Sequence, residues 1–110
     1  MLTYTQLAQH RENSTSAVTA YTCPLNSTVQ IFIKITNSNA VAVTCSVFHD
    51  DDGIVYDEST AIVWQTSVNP GELLEIDRVF LNNSASSIGV QTDTANAITI
   101  TVYGIVRDDG

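Results

Sequence analysis

Aliphatic residues occupy every second position of Val29–Ile35, which reads VQIFIKI. Successive side chains of a β-strand point to opposite faces, so this spacing predicts a strand with one apolar face. The same period of two recurs at Val41–Val47 and Ile98–Val102, and no stretch shows the 3.6-residue period of an amphipathic helix. The sequence therefore predicts an all-β fold.

Turn signals divide the chain into about eight strands. Pro24 ends the first because proline cannot donate to a ladder, and Asn69-Pro70-Gly71 and Asp50–Gly53 mark turns. The predicted strands are Ala17–Thr22, Val29–Thr36, Val41–His49, Ile54–Tyr56, Ala61–Val68, Leu73–Leu81, Ser87–Thr92 and Ala97–Val106. We expect a single antiparallel β-sandwich, either jelly-roll-like or Ig-like.

Two local details accompany these strands. The short turn Asn37-Ser38-Asn39 predicts that Val29–Thr36 and Val41–His49 pair as an antiparallel hairpin. The Asp77-Arg78 step interrupts the alternation of Leu73–Leu81, which predicts a β-bulge.

Charge is scarce in this chain. Only 15 % of its 110 residues are charged, against about 25 % in typical domains. The net charge is −8, and the four basic residues are scattered along the sequence. Nucleic acids and anionic membranes require clustered basic residues, so we expect neither as a partner.

Residues 1–16 show no sustained period, and we interpret them as an extended N-terminal arm beside a sandwich domain of residues 17–110. The arm's apolar residues are too few for an independent helix. A neighbouring subunit could order it, or it could fold over its own domain. The polar N-terminus lacks the apolar core of a signal peptide, which favours a product made in the cytoplasm and not secreted.

The residue types that carry chemistry form no catalytic pattern. Cys45 and His49 stand about 13 Å apart along one strand, too far for a Cys–His couple. Cys45 lies on the apolar parity, as expected of a small buried hydrophobe, and whether it pairs with Cys23 stays open. Asp50–Asp52 could offer oxygens to Ca²⁺, or could accept hydrogen bonds from turn amides. We predict no catalytic residue, no metal and no cofactor.

Several phrases resemble a family of small tailed-bacteriophage virion proteins. Ala20–Pro24 is similar to that family's LYTVPA opening, with Cys23 in the valine position. The other matching phrases follow in the same order along the chain: Val29–Asn37, Val47–Tyr56, Val68–Ile76, Leu81–Asn83, Ser87–Val90 and Ala95–Gly104.

The resemblance implies a non-enzymatic β-sandwich of the virion. The expected function is a capsid decoration, or cement, protein that binds the major capsid protein and bridges capsomers as a homo-oligomer, with a trimer favoured. The alternatives are a neck, tail or fibre module, or a carbohydrate- or host-surface-binding module. The residues predicted to bind a partner are those of the arm: Leu2, Tyr4, Leu7 and Arg11.

Overall fold

The computed structural model describes residues 4–82 and 84–108. Within these ranges the chain forms strands and connections but no helix, and no helix long and apolar enough to cross a membrane is found. The strands are β1 (Thr5–Arg11), β2 (Val18–Thr22), β3 (Ser27–Asn37), β4 (Val43–Asp50), β5 (Ala61–Val68), β6 (Leu73–Leu81), β7 (Ser87–Thr92) and β8 (Ile98–Asp108).

The strands form two four-stranded sheets, in the orders β1-β8-β3-β6 and β2-β7-β4-β5, and every pairing is antiparallel. Except between β4 and β5, each strand is followed by one in the opposite sheet. This order is the jelly roll, in which two Greek keys close over one core. The predicted all-β sandwich is confirmed, and the topology selects the jelly roll over the Ig-like alternative.

The predicted hairpin between the second and third strands is wrong. β3 pairs with β8 and β6, whereas β4 lies in the other sheet between β7 and β5. The connection between them crosses from sheet to sheet and is held by buried Asn37, whose Nδ2 donates to Val41 O (3.0 Å) and Val68 O (2.9 Å). A short turn can therefore join two sheets as well as two neighbouring strands.

The predicted apolar parity defines the core. Val29, Ile31, Ile33 and Ile35 are all 0 % exposed, and the inward residues of β4 and β8 are buried with them. Val41 departs from the prediction with 62 % exposure because β4 begins only at Val43. The predicted strand Ile54–Tyr56 is an unpaired part of the β4–β5 connection.

The N-terminal segment differs from the predicted arm. Thr5–Arg11 is β1, an edge strand that pairs with β8 from Thr5↔Gly104 to Arg11↔Thr99. The register shifts between Gln6 and Ala8, so apolar and polar side chains do not alternate regularly along β1. For this reason the period of two did not predict the strand. The described part of residues 1–16 thus belongs largely to the sandwich.

All four edge strands of the two sheets are irregular. The pairings β1–β8, β2–β7, β3–β6 and β4–β5 each contain a register shift, whereas the central pairings β3–β8 and β4–β7 contain none. The predicted bulge at Asp77-Arg78 is one of these, with Arg78 at φ 54°. Bulged edges discourage strand addition by another chain. Contacts with partners are therefore expected on the sheet faces.

Candidate interaction surfaces

The first candidate surface is the outward side of the β1-β8-β3-β6 sheet, called here the β3–β8 face. Aromatic rings cluster on it: Tyr4 and Phe32 lie 4.9 Å apart between centroids, and Phe32 is opposite Tyr103 in the register. Phe80 is 55 % exposed beside them. A depression of about 250 Å³ opens here, and its lining residues are Thr28, Gln30, Phe80, Ile105 and Arg107.

All four basic residues of the chain lie on this sheet. They are scattered in sequence, but the register brings Arg11 (β1), Lys34 (β3) and Arg107 (β8) to one outward side, and exposed Arg78 lies in the β6 bulge opposite Phe32. The Nζ of Lys34 stands 5.8 Å from the ring centroid of Tyr103, a cation–π distance. The positions of these four residues in the sequence did not predict that they lie on one sheet.

The residues predicted to bind a partner fall partly on this face. Tyr4 is 46 % exposed, and its hydroxyl accepts a hydrogen bond from Gln30 Nε2 (2.7 Å). Arg11 is exposed and donates to the carbonyl of Asn96. Leu7 instead packs, half buried, against the core. Leu2 lies outside the described residues.

The second candidate surface is the outward side of the β2-β7-β4-β5 sheet with its β4–β5 connection, called here the acidic face. The connection folds back over the sheet, and Tyr56 covers Phe48, with ring centroids 5.8 Å apart. Phe48 is 0 % exposed although it points away from the main core, since Trp64 packs against its other side (6.4 Å). The Tyr56 hydroxyl bonds Thr19 Oγ1 on β2 at 2.7 Å.

Asp50 holds this connection in place. Its Oδ2 accepts from the amides of Ile54 (2.9 Å) and Val55 (2.8 Å), and its Oδ1 accepts from the Asp51 amide (3.0 Å). The hydrogen bond from Val55 is the largest of the effects that lower the pKa of Asp50. The pKa of Asp52 is raised because its carboxyl shares a hydrogen bond with Asp50. The predicted capping of turn amides is confirmed.

The same loop was the candidate cation site. One carboxylate oxygen from each of Asp50, Asp51 and Asp52 lies within 4.8 Å of the others. Both oxygens of Asp50 already accept backbone amides, and Asp51 and Asp52 are exposed. The arrangement is that of a hydrogen-bonded acidic turn.

The loop displays apolar groups beside its carboxylates. Ile54 is 77 % exposed and Val55 43 %, and Ile62 and Trp64 on β5 are each 44 % exposed. The β4–β5 connection also carries exposed carboxylates at Asp51, Asp52, Asp57 and Glu58, and residues 50–60 contain no lysine or arginine. This face therefore combines apolar anchors with negative charge.

One nucleophile–base pair appears that the sequence did not suggest. His49 Nε2 lies 2.9 Å from Ser86 Oγ. Ser86 is only 3 % exposed, so its hydroxyl is closed to a substrate, and burial lowers the pKa of His49. The pair links β4 to the β6–β7 connection as a structural hydrogen bond.

The remaining chemical groups are enclosed in the sandwich. Cys23 and Cys45 are buried thiols, and Cys23 Sγ donates to Ser27 O (3.4 Å). Burial raises the pKa of Cys45 to about 12, with a further contribution from the charge of Glu12. Glu12 is 0 % exposed; its Oε1 accepts from the Ser14 amide (3.2 Å) and lies 3.8 Å from His10 Nε2.

No protein-family model matches this chain, and no curated protein matches it. Solved structures share its fold at low identity. A chain of the Bacillus endospore appendages, a family of disulfide-linked pili, has a TM-score of 0.61 at 10 % identity, over 100 % of this chain and 92 % of that one.

Two similar structures come from viruses. The Tobacco streak virus coat protein has a TM-score of 0.55 at 9 % identity, over 96 % of this chain and 84 % of that one. A chain from the capsid of Helicobacter pylori bacteriophage KHP30 has a TM-score of 0.54 at 6 % identity, over 96 % and 92 %. The fold defines a jelly-roll β-sandwich. One outward face carries the four basic residues together with exposed Glu75 and Asp77, and the other carries the acidic β4–β5 connection.

Proposed function

We propose that this chain is a non-enzymatic structural subunit of a bacteriophage virion, and that it decorates and cements the capsid. The observation that carries the proposal is the location of its exposed apolar groups. Tyr4, Phe80, Ile54 and Trp64 expose apolar area on the two sheet faces, while the edges are bulged. Such a sandwich is suited to docking by its faces.

The proposed lack of enzymatic activity is supported by the burial and the hydrogen bonding of the reactive side chains. The best-placed hydroxyl, Ser86, and both thiols are buried, and the acidic turn uses Asp50 to hold its own backbone. An acid, base or nucleophile needs access to a reacting atom, which these groups lack.

Two further observations support a place in the virion. The sequence phrases from residue 20 to residue 104 resemble small tailed-phage virion proteins in their order. The fold recurs in a plant virus coat protein and in a phage capsid chain. In the proposed role the subunit is a homo-oligomer, and it binds the major capsid protein across neighbouring capsomers.

The N-terminal partner contacts need a finer test than truncation, because removing residues 1–16 would also remove β1. Tyr4→Ser and Arg11→Ser change two exposed side chains and leave the strand in place. We expect both to weaken binding to purified empty shells about 10-fold or more, whereas Thr5→Ser serves as the matched control. Unchanged binding by both would exclude the N-terminal contact.

Quantitative mass spectrometry of purified virions tests the function itself. Hundreds of copies per particle support decoration of the shell, and a dozen or fewer support a neck, tail or fibre position instead. Absence of the chain from purified particles would overturn the virion proposal.

A further inference from the structure

We propose that the acidic face carries a binding site for one neutral sugar ring, in a polar depression beside Trp64. The depression has a volume of about 170 Å³ and lies against β4, β5 and β7. Among the described residues, its lining side chains all belong to threonine, serine, glutamine or aspartate, and they include Gln65, Gln91 and Asp93. Such a lining suits a ligand whose hydroxyl groups both donate and accept hydrogen bonds.

The strand register forms the base of the depression. Ser46 on β4 lies opposite Gln91 on β7, and both point away from the core that holds Val47 and Val90. The Oγ of Ser46 accepts a hydrogen bond from the backbone amide of Gln65 (2.8 Å). Gln65 has a φ of 47° and lies in the bulge of β5. The bulge therefore places Gln65 at the depression, beside Ser46.

The two amide side chains offer donors and acceptors to a ligand. The side chain of Gln65 is exposed, and within residues 4–82 and 84–108 no partner hydrogen-bonds it. Gln91 Nε2 donates to the carbonyl of Thr15 (3.1 Å), and its Oε1 can accept from a ligand because an amide oxygen has two lone pairs. Gln65 can thus donate to one hydroxyl group while Gln91 accepts from another.

Asp93 contributes a carboxylate. Its Oδ1 accepts from the Thr44 amide (3.1 Å) and from the Thr94 hydroxyl (3.1 Å). Burial acts to raise the pKa of Asp93, but these hydrogen bonds outweigh it and lower the pKa, so the group is ionised at neutral pH. An ionised carboxylate has two acceptor oxygens, which can bind neighbouring hydroxyl groups of a sugar ring.

Trp64 supplies an apolar surface beside these polar groups. It precedes Gln65 and is 44 % exposed, and its ring lies 6.4 Å from that of Phe48, the next outward residue of β4 after Ser46. The indole therefore lies on the same side of the sheet as the depression. An aromatic face can pack on the C–H groups of a sugar ring while the polar side chains bind its hydroxyl groups.

Size and charge narrow the choice of ligand. A volume of about 170 Å³ is below the roughly 300–1,000 Å³ of sites for drug-sized ligands, so the depression suits a single ring. All four basic residues lie on the other sheet, and the carboxylate of Asp93 would repel an anion. A neutral sugar is therefore favoured over a phosphate, a sulfate or a sugar acid.

This inference goes beyond the proposed virion role and does not rest on it. A structural subunit with such a site would also bind a glycan. Failure of the experiment below would leave the mass-spectrometric test of the virion proposal unaffected.

The test is a titration of the isotope-labelled full chain followed by nuclear magnetic resonance. The probes are the neutral sugars D-glucose, D-galactose and N-acetyl-D-glucosamine, with D-glucuronate as the anionic analogue and glycerol as an acyclic polyol. Fluorescence of Trp64, the one tryptophan of the chain, provides a second signal. Circular dichroism verifies that each variant is folded.

We expect at least one neutral sugar to bind saturably, with a Kd of about 1–10 mM, and to shift the amide signals of Ser46, Gln65 and Gln91. D-glucuronate should bind about 10-fold more weakly or less, because Asp93 repels it. Glycerol should produce no saturable shift, since it has no ring to pack on Trp64.

Variants locate the site. Gln65→Ala should weaken binding of the neutral sugar about 5-fold or more, because it removes hydrogen bonds to the ligand. Gln6→Ala is the matched control, since it removes an exposed glutamine from β1 of the other sheet, and it should bind as the wild type does. Asp93→Asn should narrow the difference in affinity between the neutral sugar and D-glucuronate.

The methyl glycoside of the bound sugar identifies the source of the ligand. Equal binding of the glycoside and the free sugar would support a site for the terminal sugar of a glycan chain. Binding of the free sugar alone would support a site for a soluble sugar.

Three results would overturn the proposal. Absence of a saturable shift with all three neutral sugars up to about 100 mM would show that the depression binds no sugar. Saturable shifts of the same signals with glycerol would show an adventitious polyol contact only. Wild-type affinity in Gln65→Ala would show that the sugar binds elsewhere.

Discussion

The ring of Tyr56 lies directly on the backbone of Gly89. A Cβ built on Gly89 would stand 2.7 Å from Tyr56 Cδ1, closer than real Cβ contacts allow. Because Gly89 has no side chain, Tyr56 can pack directly on β7 and hold the β4–β5 connection against the sheet. There the connection buries Phe48 and forms part of the acidic face.

Gly89→Ala should displace Tyr56 and destabilise the fold by about 1–3 kcal/mol, the usual cost of overpacking. Urea unfolding measures the change. In a Tyr56→Ala background the same substitution should cost much less, because the ring it displaces is gone. If Gly89→Ala lowers the free energy of unfolding equally in both backgrounds, Tyr56 does not pack on Gly89.

Leu7→Ala tests whether the N-terminal segment is part of the sandwich. Leu7 is half buried against the core and its Cδ1 lies close to Gly104 on β8, so its truncation should lower the free energy of unfolding by about 1–2 kcal/mol. Thr5→Ala on the same strand is exposed and should change it by less than about 0.5 kcal/mol. A detached arm would show no effect from either substitution.

The core could be predicted from the sequence, because inward residues of long strands must be apolar at every second position. β3 and β8 follow that rule, and the bounds of β5, β6 and β7 agree with the predicted ones. β1 could not be predicted, since an edge strand with a bulge contributes little to the core and loses its parity at Leu7.

The outward surfaces could not be predicted because they depend on strand order. Lys34 and Arg107 are distant in sequence, and only the pairing of β3 with β8 brings them to one side. The outward parity of β3, with Phe32 between Gln30 and Lys34, was the one available signal. It indicated exposed aromatic and basic groups on one strand, but not which strands would join it.

Asp50→Asn should loosen the β4–β5 connection. The substitution preserves shape but removes the charge that strengthens the hydrogen bonds from Ile54 and Val55. Hydrogen exchange at those two amides should become faster, with Glu58→Gln as the control that removes one charge from the same connection. Unaltered exchange in Asp50→Asn would mean that the carboxylate does not hold the loop.

Acidification should destabilise the protein through His49. Burial lowers the pKa of His49 in the folded protein below its ordinary value of 6.5, although Asp50 and Asp51 oppose the shift. The unfolded chain then binds the proton more tightly, so the contribution of His49 to stability is constant above about pH 6.5 and falls as pH decreases below it.

Urea midpoints at pH 7.5 and pH 5.5 measure this dependence. The midpoint of the wild type should fall at the lower pH, and His49→Gln should reduce the difference, since glutamine does not titrate. An equal fall in His49→Gln would assign the dependence to other groups.

The two thiols should react with a reagent in the unfolded protein but not in the folded protein. Cys45 is 1 % exposed with a pKa of about 12, and Cys23 is 3 % exposed, so burial keeps both sulfur atoms from a reagent in the folded protein. We expect a chromogenic disulfide reagent to react with neither thiol in native buffer, and with both in concentrated guanidinium. Rapid native reaction would show that the sandwich opens at one end. An absence of thiols in the unfolded, unreduced protein would show that the two cysteines are joined.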